Sequence, residues 1–224
     1  EDVGLLPDGE MKQVTSDSTS EEPENTITGL TIKEALRTPA FYILSAGMFS
    51  LSMLVTSLHF FQVSIFSNQG LEPQIASMAF PISAVTMVFC MPIVGRLLDR
   101  FPTQWIFSGG LFVQACSLIS VTFVNDLPSA IIYAMIFGLN NATTMTFFSF
   151  MYARYFGRKY LGSVQGTGQM IGVTGASLGP IPLGYALDQY GEFGPMLLGL
   201  AVIPLTMAVI ALFLRAPKIP GEKA

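Results

Sequence analysis

Apolar residues along this chain gather into six long runs, at 41–66, 75–95, 105–124, 129–152, 163–187 and 195–214, and none carries Asp, Glu, Lys or Arg away from its ends. Crossing about 30 Å of hydrocarbon takes roughly 20 residues of helix, so each run is long enough to span a bilayer. A helix satisfies its backbone internally, and no run has a charge to bury. The pattern predicts an all-α membrane protein with six transmembrane helices, and this excludes a soluble globular domain.

The stretches outside the runs are of a different kind. Residues 1–28 are rich in Ser, Thr, Glu and Pro and poor in aromatic clusters, which predicts a disordered acidic linker. Thr31 and Glu34 have the spacing of a capping box behind Leu30, so a short surface helix is expected ahead of Pro39. The transmembrane domain then occupies residues 29–214, and residues 215–224 form a tail. A protein opening on such a linker is expected to have an upstream partner of similar size.

Composition adds little to the hydropathy, since 51% hydrophobic against 12% charged residues is what six spans produce. The net charge of −4 comes from the linker, and the remainder is mildly basic, so nothing points to nucleic acid. Position matters more than amount. Every Lys and Arg falls in the first segment, the second loop, the fourth loop or the tail, whereas loops 67–74, 125–128 and 188–194 carry only Glu72, Asp126, Asp188 and Glu192. Basic residues are retained inside, so both ends of this segment are expected in the cytoplasm, with the plasma membrane as the expected location. Cys90 and Cys116 lie within runs and read as small packing residues.

A short repeat is visible. Gly95-Arg96-Leu97-Leu98-Asp99-Arg100-Phe101 ends the second run, and Gly184-Tyr185-Ala186-Leu187-Asp188-Gln189-Tyr190 ends the fifth. Three spans separate the copies, so they end on opposite sides of the membrane, as an inverted 3+3 repeat requires. The first copy resembles the loop motif that major facilitator transporters carry between the second and third helices of each half. Residues 1–9, with Tyr155-Phe156-Gly157-Arg158-Lys159-Tyr160-Leu161-Gly162-Ser163, are similar to the branch of oxalate/formate antiporters and monocarboxylate carriers. After Arg100 the family continues with Gly and two basic residues, whereas here Pro102, Thr103 and Gln104 follow.

The resemblance implies the C-terminal half of a twelve-helix fold whose partner is the N-terminal six-helix half of the same transporter. It also implies a small-molecule substrate, with a proton as possible coupling ion, bound in a cavity lined by the first, second, fourth and fifth helices. Gly95, Arg96, Asp99 and Arg100 would then be gate elements. No cofactor or metal is implied.

Candidate cavity residues come from the rare polar side chains within the runs. His59 is the single histidine, and Ser45, Ser52, Thr56 and His59 form one polar stripe on the first helix. Such a stripe faces either the cavity or a neighbouring helix, so His59 is either a substrate or proton ligand or a bundle residue. Asn140, Thr144 and Met151 share a face of the fourth helix, flanked by Asn141 and Thr143, while Gln165 and Gln169 are i,i+4 neighbours on the fifth. These amides could hold a solute's oxygens or join helices. The fifth run has glycine pairs at 162/166, 168/172 and 175/179, and Pro180 and Pro182 are expected to interrupt it, as Pro81 and Pro92 are the second.

Two enzyme-like matches fail on context. Gly175-Ala176-Ser177-Leu178-Gly179 fits a nucleophile elbow and Gly166-Thr167-Gly168 hints at a dinucleotide loop, but both need a preceding strand where this sequence predicts a membrane helix. The expected function is therefore not enzymatic. It is secondary transport of a small organic solute by alternating access, with a receptor or scaffold on the same fold as the alternative. Oxalate-type carriers place basic residues in the second and fifth helices of this half; here those helices have none, which disfavours a dianion and leaves a neutral solute or a monocarboxylate.

Overall fold

The structure, a computed structural model, describes residues 28–217. The expected linker, except for Thr28, and the last seven residues of the tail lie outside the described residues. Eight helices are present among the described residues: α1 (Ile32–Ala35), α2 (Pro39–Asn68), α3 (Pro73–Arg100), α4 (Thr103–Val121), α5 (Leu127–Phe156), α6 (Leu161–Leu178), α7 (Pro180–Tyr190) and α8 (Gly194–Ala211). With α6 and α7 taken together over Leu161–Tyr190, they supply six helices long and apolar enough to cross a membrane.

Local chemistry sets many of the boundaries. Proline stands in the first turn of α2, α3, α5, α7 and α8, where its missing N–H costs nothing. Thr31 and Glu34 form the reciprocal capping box of α1, and Asp126 with Ser129 forms another at the start of α5. The Ser129 hydroxyl and its N–H hold the Asp126 carboxyl below the usual carboxylate range. The fifth span breaks at Gly179, immediately before Pro180. The second does not: α3 continues through Pro81 and Pro92, contrary to the expectation of an interruption there. Within a packed membrane bundle, neighbouring helices and small local adjustments can re-satisfy the groups a proline frees.

The most extensive packing joins α3 to α5, α4 to α8 and α2 to α6. Exchanging the first, second and third spans with the fourth, fifth and sixth turns the first of these pairs into the third and returns the second to itself. That is the signature of the 3+3 repeat expressed in tertiary contacts. Two of the crossings are closed by glycine. A Cβ on Gly138 would run into the Ser83 carbonyl of α3, and one on Gly175 into the Phe49 carbonyl of α2. Gly168 and Gly172 pack on the rings of Tyr152 and Phe148, whereas Gly162 and Gly166 meet nothing.

All described basic residues belong to helix ends and loops at one end of the bundle, and Glu72, Asp126, Asp188 and Glu192 to the other. At the basic end the incoming chain is clasped to the loop after α5. The Leu30 N–H donates to the Phe156 carbonyl at 2.8 Å, and the Arg158 N–H donates to the Thr28 carbonyl at 3.1 Å. Gly157 turns there with φ of 77°, and its bare Cα lets Gly29 approach.

Candidate functional site

A cavity of about 590 Å³ opens between α2, α3 and α5. Its walls are mostly apolar, from Val55, Phe80, Ala84, Met87 and Met145, and its polar groups are Thr56, His59, Ser83 and Asn141. That is the composition of a small-molecule pocket: a greasy surround with a few placed polar groups.

His59 is held from two sides. Its Nδ1 lies 3.0 Å from the Val55 carbonyl one turn earlier, and its ring packs on Phe137 with centroids 4.6 Å apart. A carbonyl only accepts, so Nδ1 carries the proton and Nε2 of the neutral ring is left as an acceptor. The Asn141 amide donates to the Phe137 carbonyl at 2.9 Å, which leaves its Oδ1 and its second N–H free. Ser83, by contrast, donates its hydroxyl to the Phe80 carbonyl. The arrangement offers one imidazole and one amide, and no lining residue carries a permanent charge.

The residues read from the sequence divide. His59 and Thr56 line the cavity, and Ser52 is half-buried one turn before Thr56 on the same stripe. Ser45, at the far end of the stripe, is buried 3.2 Å from the Tyr152 hydroxyl. Asn140 does not reach the cavity: its Nδ2 donates to Gln114 Oε1 of α4 at 2.8 Å, with both residues fully buried. Thr144 turns its hydroxyl onto the Asn140 carbonyl and is buried with it. Gln165 donates to the Phe148 carbonyl and so ties α6 to α5, while Gln169 is exposed away from the cavity. Asn141, read from the pattern only as a flank, is the amide that lines the pocket.

At the basic end, Asp99 lies 3.8 Å from Arg154 Nη1, and Arg154 also donates to the Leu98 carbonyl. This joins the end of α3 to the end of α5. Gly95 meets no neighbour, and Arg96 and Arg100 are exposed with no ion pair among the described residues. Arg154 was not singled out from the sequence; its place in the last turn of α5, directly after a Thr- and Asn-bearing span, was the available signal.

The sequence model of the Major Facilitator Superfamily matches residues 4–180 and, in a second alignment, residues 43–224. This chain belongs to the Major Facilitator Superfamily. No curated protein matches it. As a member it is a multi-pass integral membrane protein of a transporter family and not of an enzyme family, and its six spans fit one half of the superfamily fold.

Proposed function

We propose that this chain forms half of a secondary transporter that moves a small organic solute, either neutral or a monoanion such as a monocarboxylate, by alternating access. The observation that carries the reading is the cavity between α2, α3 and α5, with His59 Nε2 and the Asn141 amide over walls of Phe80, Met87 and Met145. An imidazole acceptor and an amide suit a hydroxyl, an amide or a protonated carboxyl, and the apolar walls suit the solute's carbon skeleton. A dianion would lose its hydration among these walls with no Lys or Arg to replace it. His59 is also the group able to hold a coupled proton.

The other half of the transporter would close this cavity. Of the six spans, α3 and the α6–α7 pair are least buried within the chain, and they expose Met78, Val85 and Phe89 on one and Met170, Val173 and Ile181 on the other. Gly162 and Gly166, with no neighbour here, would allow a helix of that half to approach closely. In this orientation the basic end is cytoplasmic.

The test is counterflow with full-length protein in liposomes against a panel of monocarboxylates, dicarboxylates and neutral solutes. Saturable exchange of a monocarboxylate or neutral solute, weakened by Asn141→Ala, is the expected result. Exchange of none of the panel, or high-affinity exchange of a dianion with no basic residue in the other half's cavity, would refute it.

A further inference from the structure

A second pocket, of about 390 Å³, lies at the basic end, far along the bundle from the solute cavity, where the start of α4, the end of α5 and the segment after α8 meet. Arg154 and Arg215 both line it, and no Asp or Glu does. Thr103 and Tyr155 line it as well, and both are more than nine-tenths buried. Thr103 is also the first residue of α4, whose Pro102 cap supplies no side-chain acceptor; the Trp105 N–H returns to the Pro102 carbonyl, so it is the Thr103 and Gln104 amides and the positive end of a 19-residue helix dipole that add to the two guanidiniums. Arg154 engages Asp99 and the Leu98 carbonyl through Nη1, which leaves other N–H donors of its fork free.

Two guanidiniums and the opening amides of a helix around one space describe a receptor for a phosphate oxyanion. The surroundings say where that phosphate comes from. Immediately deeper along the same two helices, α4 and α8 form an apolar groove of about 500 Å³, lined among others by Trp105, Phe112, Leu205, Val209 and Leu212. Gln104 lines the polar pocket and Trp105 the groove; Leu212 lines the groove and Leu214 the polar pocket. A polar site for one negative charge above a groove for a hydrocarbon chain has the shape of an anionic phospholipid.

We propose that this pocket and groove hold one anionic phospholipid, its phosphate between Arg154 and Arg215 and an acyl chain along α4 and α8. Such a lipid would pin the ends of α4, α5 and α8 together at the face where Asp99 meets Arg154. Basic pockets between membrane helices bind anionic headgroups by this physics, and the attraction weakens with salt.

Trp105 is the single tryptophan of the chain and lines the groove, so it can report the occupant directly. Full-length protein is reconstituted in phosphatidylcholine nanodiscs holding a minor fraction of chain-brominated phosphatidylglycerol or chain-brominated phosphatidylcholine. Trp105 emission is taken as the difference between the protein and its Trp105→Phe variant. The expected result is severalfold stronger quenching by the brominated phosphatidylglycerol, with that preference lost in Arg215→Gln and reduced in Arg154→Gln. Arg154→Gln also removes the tie to Leu98, so Arg215→Gln, beyond the last helix, is the deciding variant. Equal quenching by the two lipids, or an undiminished preference in Arg215→Gln, would overturn the site. Loss of the preference on adding millimolar inorganic phosphate at constant ionic strength would show that the pocket takes a free anion, and would overturn the lipid assignment.

Discussion

Asn140 and Asn141 are neighbours in the chain and face different partners: Asn140 bonds Gln114 of α4 at 2.8 Å, while Asn141 lines the cavity shared with His59. A helix turns by about 100° per residue, so one step along α5 separates a packing amide from a cavity amide.

The two should therefore fail differently when truncated. Asn141→Ala is expected to raise the KM for the solute by about threefold to tenfold, the worth of one ordinary hydrogen bond, with normal thermal stability. Asn140→Ala should lose about 1 kcal/mol of stability, the scale of an interhelical bond in membranes, with KM little changed. Thermal unfolding in detergent alongside uptake kinetics separates the two, and a KM defect in Asn140→Ala alone would reverse the assignment.

His59→Ala should lower uptake without reducing the amount of protein in the membrane, because removing a polar ring makes α2 no harder to insert. His59→Gln retains an acceptor and should retain more activity than His59→Ala. Unchanged uptake and unchanged pH dependence in His59→Ala would reduce His59 to a ring packed on Phe137.

Close backbone approach makes Gly138 intolerant. Gly138→Ala places a methyl against the Ser83 carbonyl of α3 and should cost about 1–3 kcal/mol, the usual range for overpacking. Gly95→Ala, where a Cβ meets nothing, should leave unfolding temperature unchanged. Equal behaviour of the two variants would show that α3 and α5 do not cross as tightly as described.

Orientation can be read by labelling. Cysteines at Glu72, Leu127 and Glu192 should react with an impermeant reagent added outside sealed cells, and cysteines at Pro102 and Lys159 should not. All five positions are exposed, so burial does not confuse the result. Thr103 would be a poor probe, since its side chain is buried. Labelling of Pro102→Cys from outside would invert the topology.

Much of the architecture was legible before any coordinates, because a span in lipid must be long, apolar and internally hydrogen-bonded, and those demands are written residue by residue. The glycine pairs were legible only as a pattern. Gly168, Gly172 and Gly175 pack on Tyr152, Phe148 and Phe49, whereas Gly162 and Gly166 have identical spacing and no neighbour. The prolines show the same limit, since Pro180 opens a new helix and Pro81 and Pro92 lie within a continuous one.

By itself, then, the sequence determined six helices, their polar stripes, the repeat and the segregation of basic residues to alternate loops. Periodicity places side chains on a common face but carries no information about what that face meets. Only the tertiary structure decided that Asn141 and not Asn140 joins His59, that Gln165 ties α6 to Phe148, and that Thr103, Arg154 and Arg215 meet at one pocket. The physical reason is that helix faces are a local property set by 3.6 residues per turn, whereas partners are chosen by how whole helices pack, and packing brings together residues separated by dozens of positions along the chain.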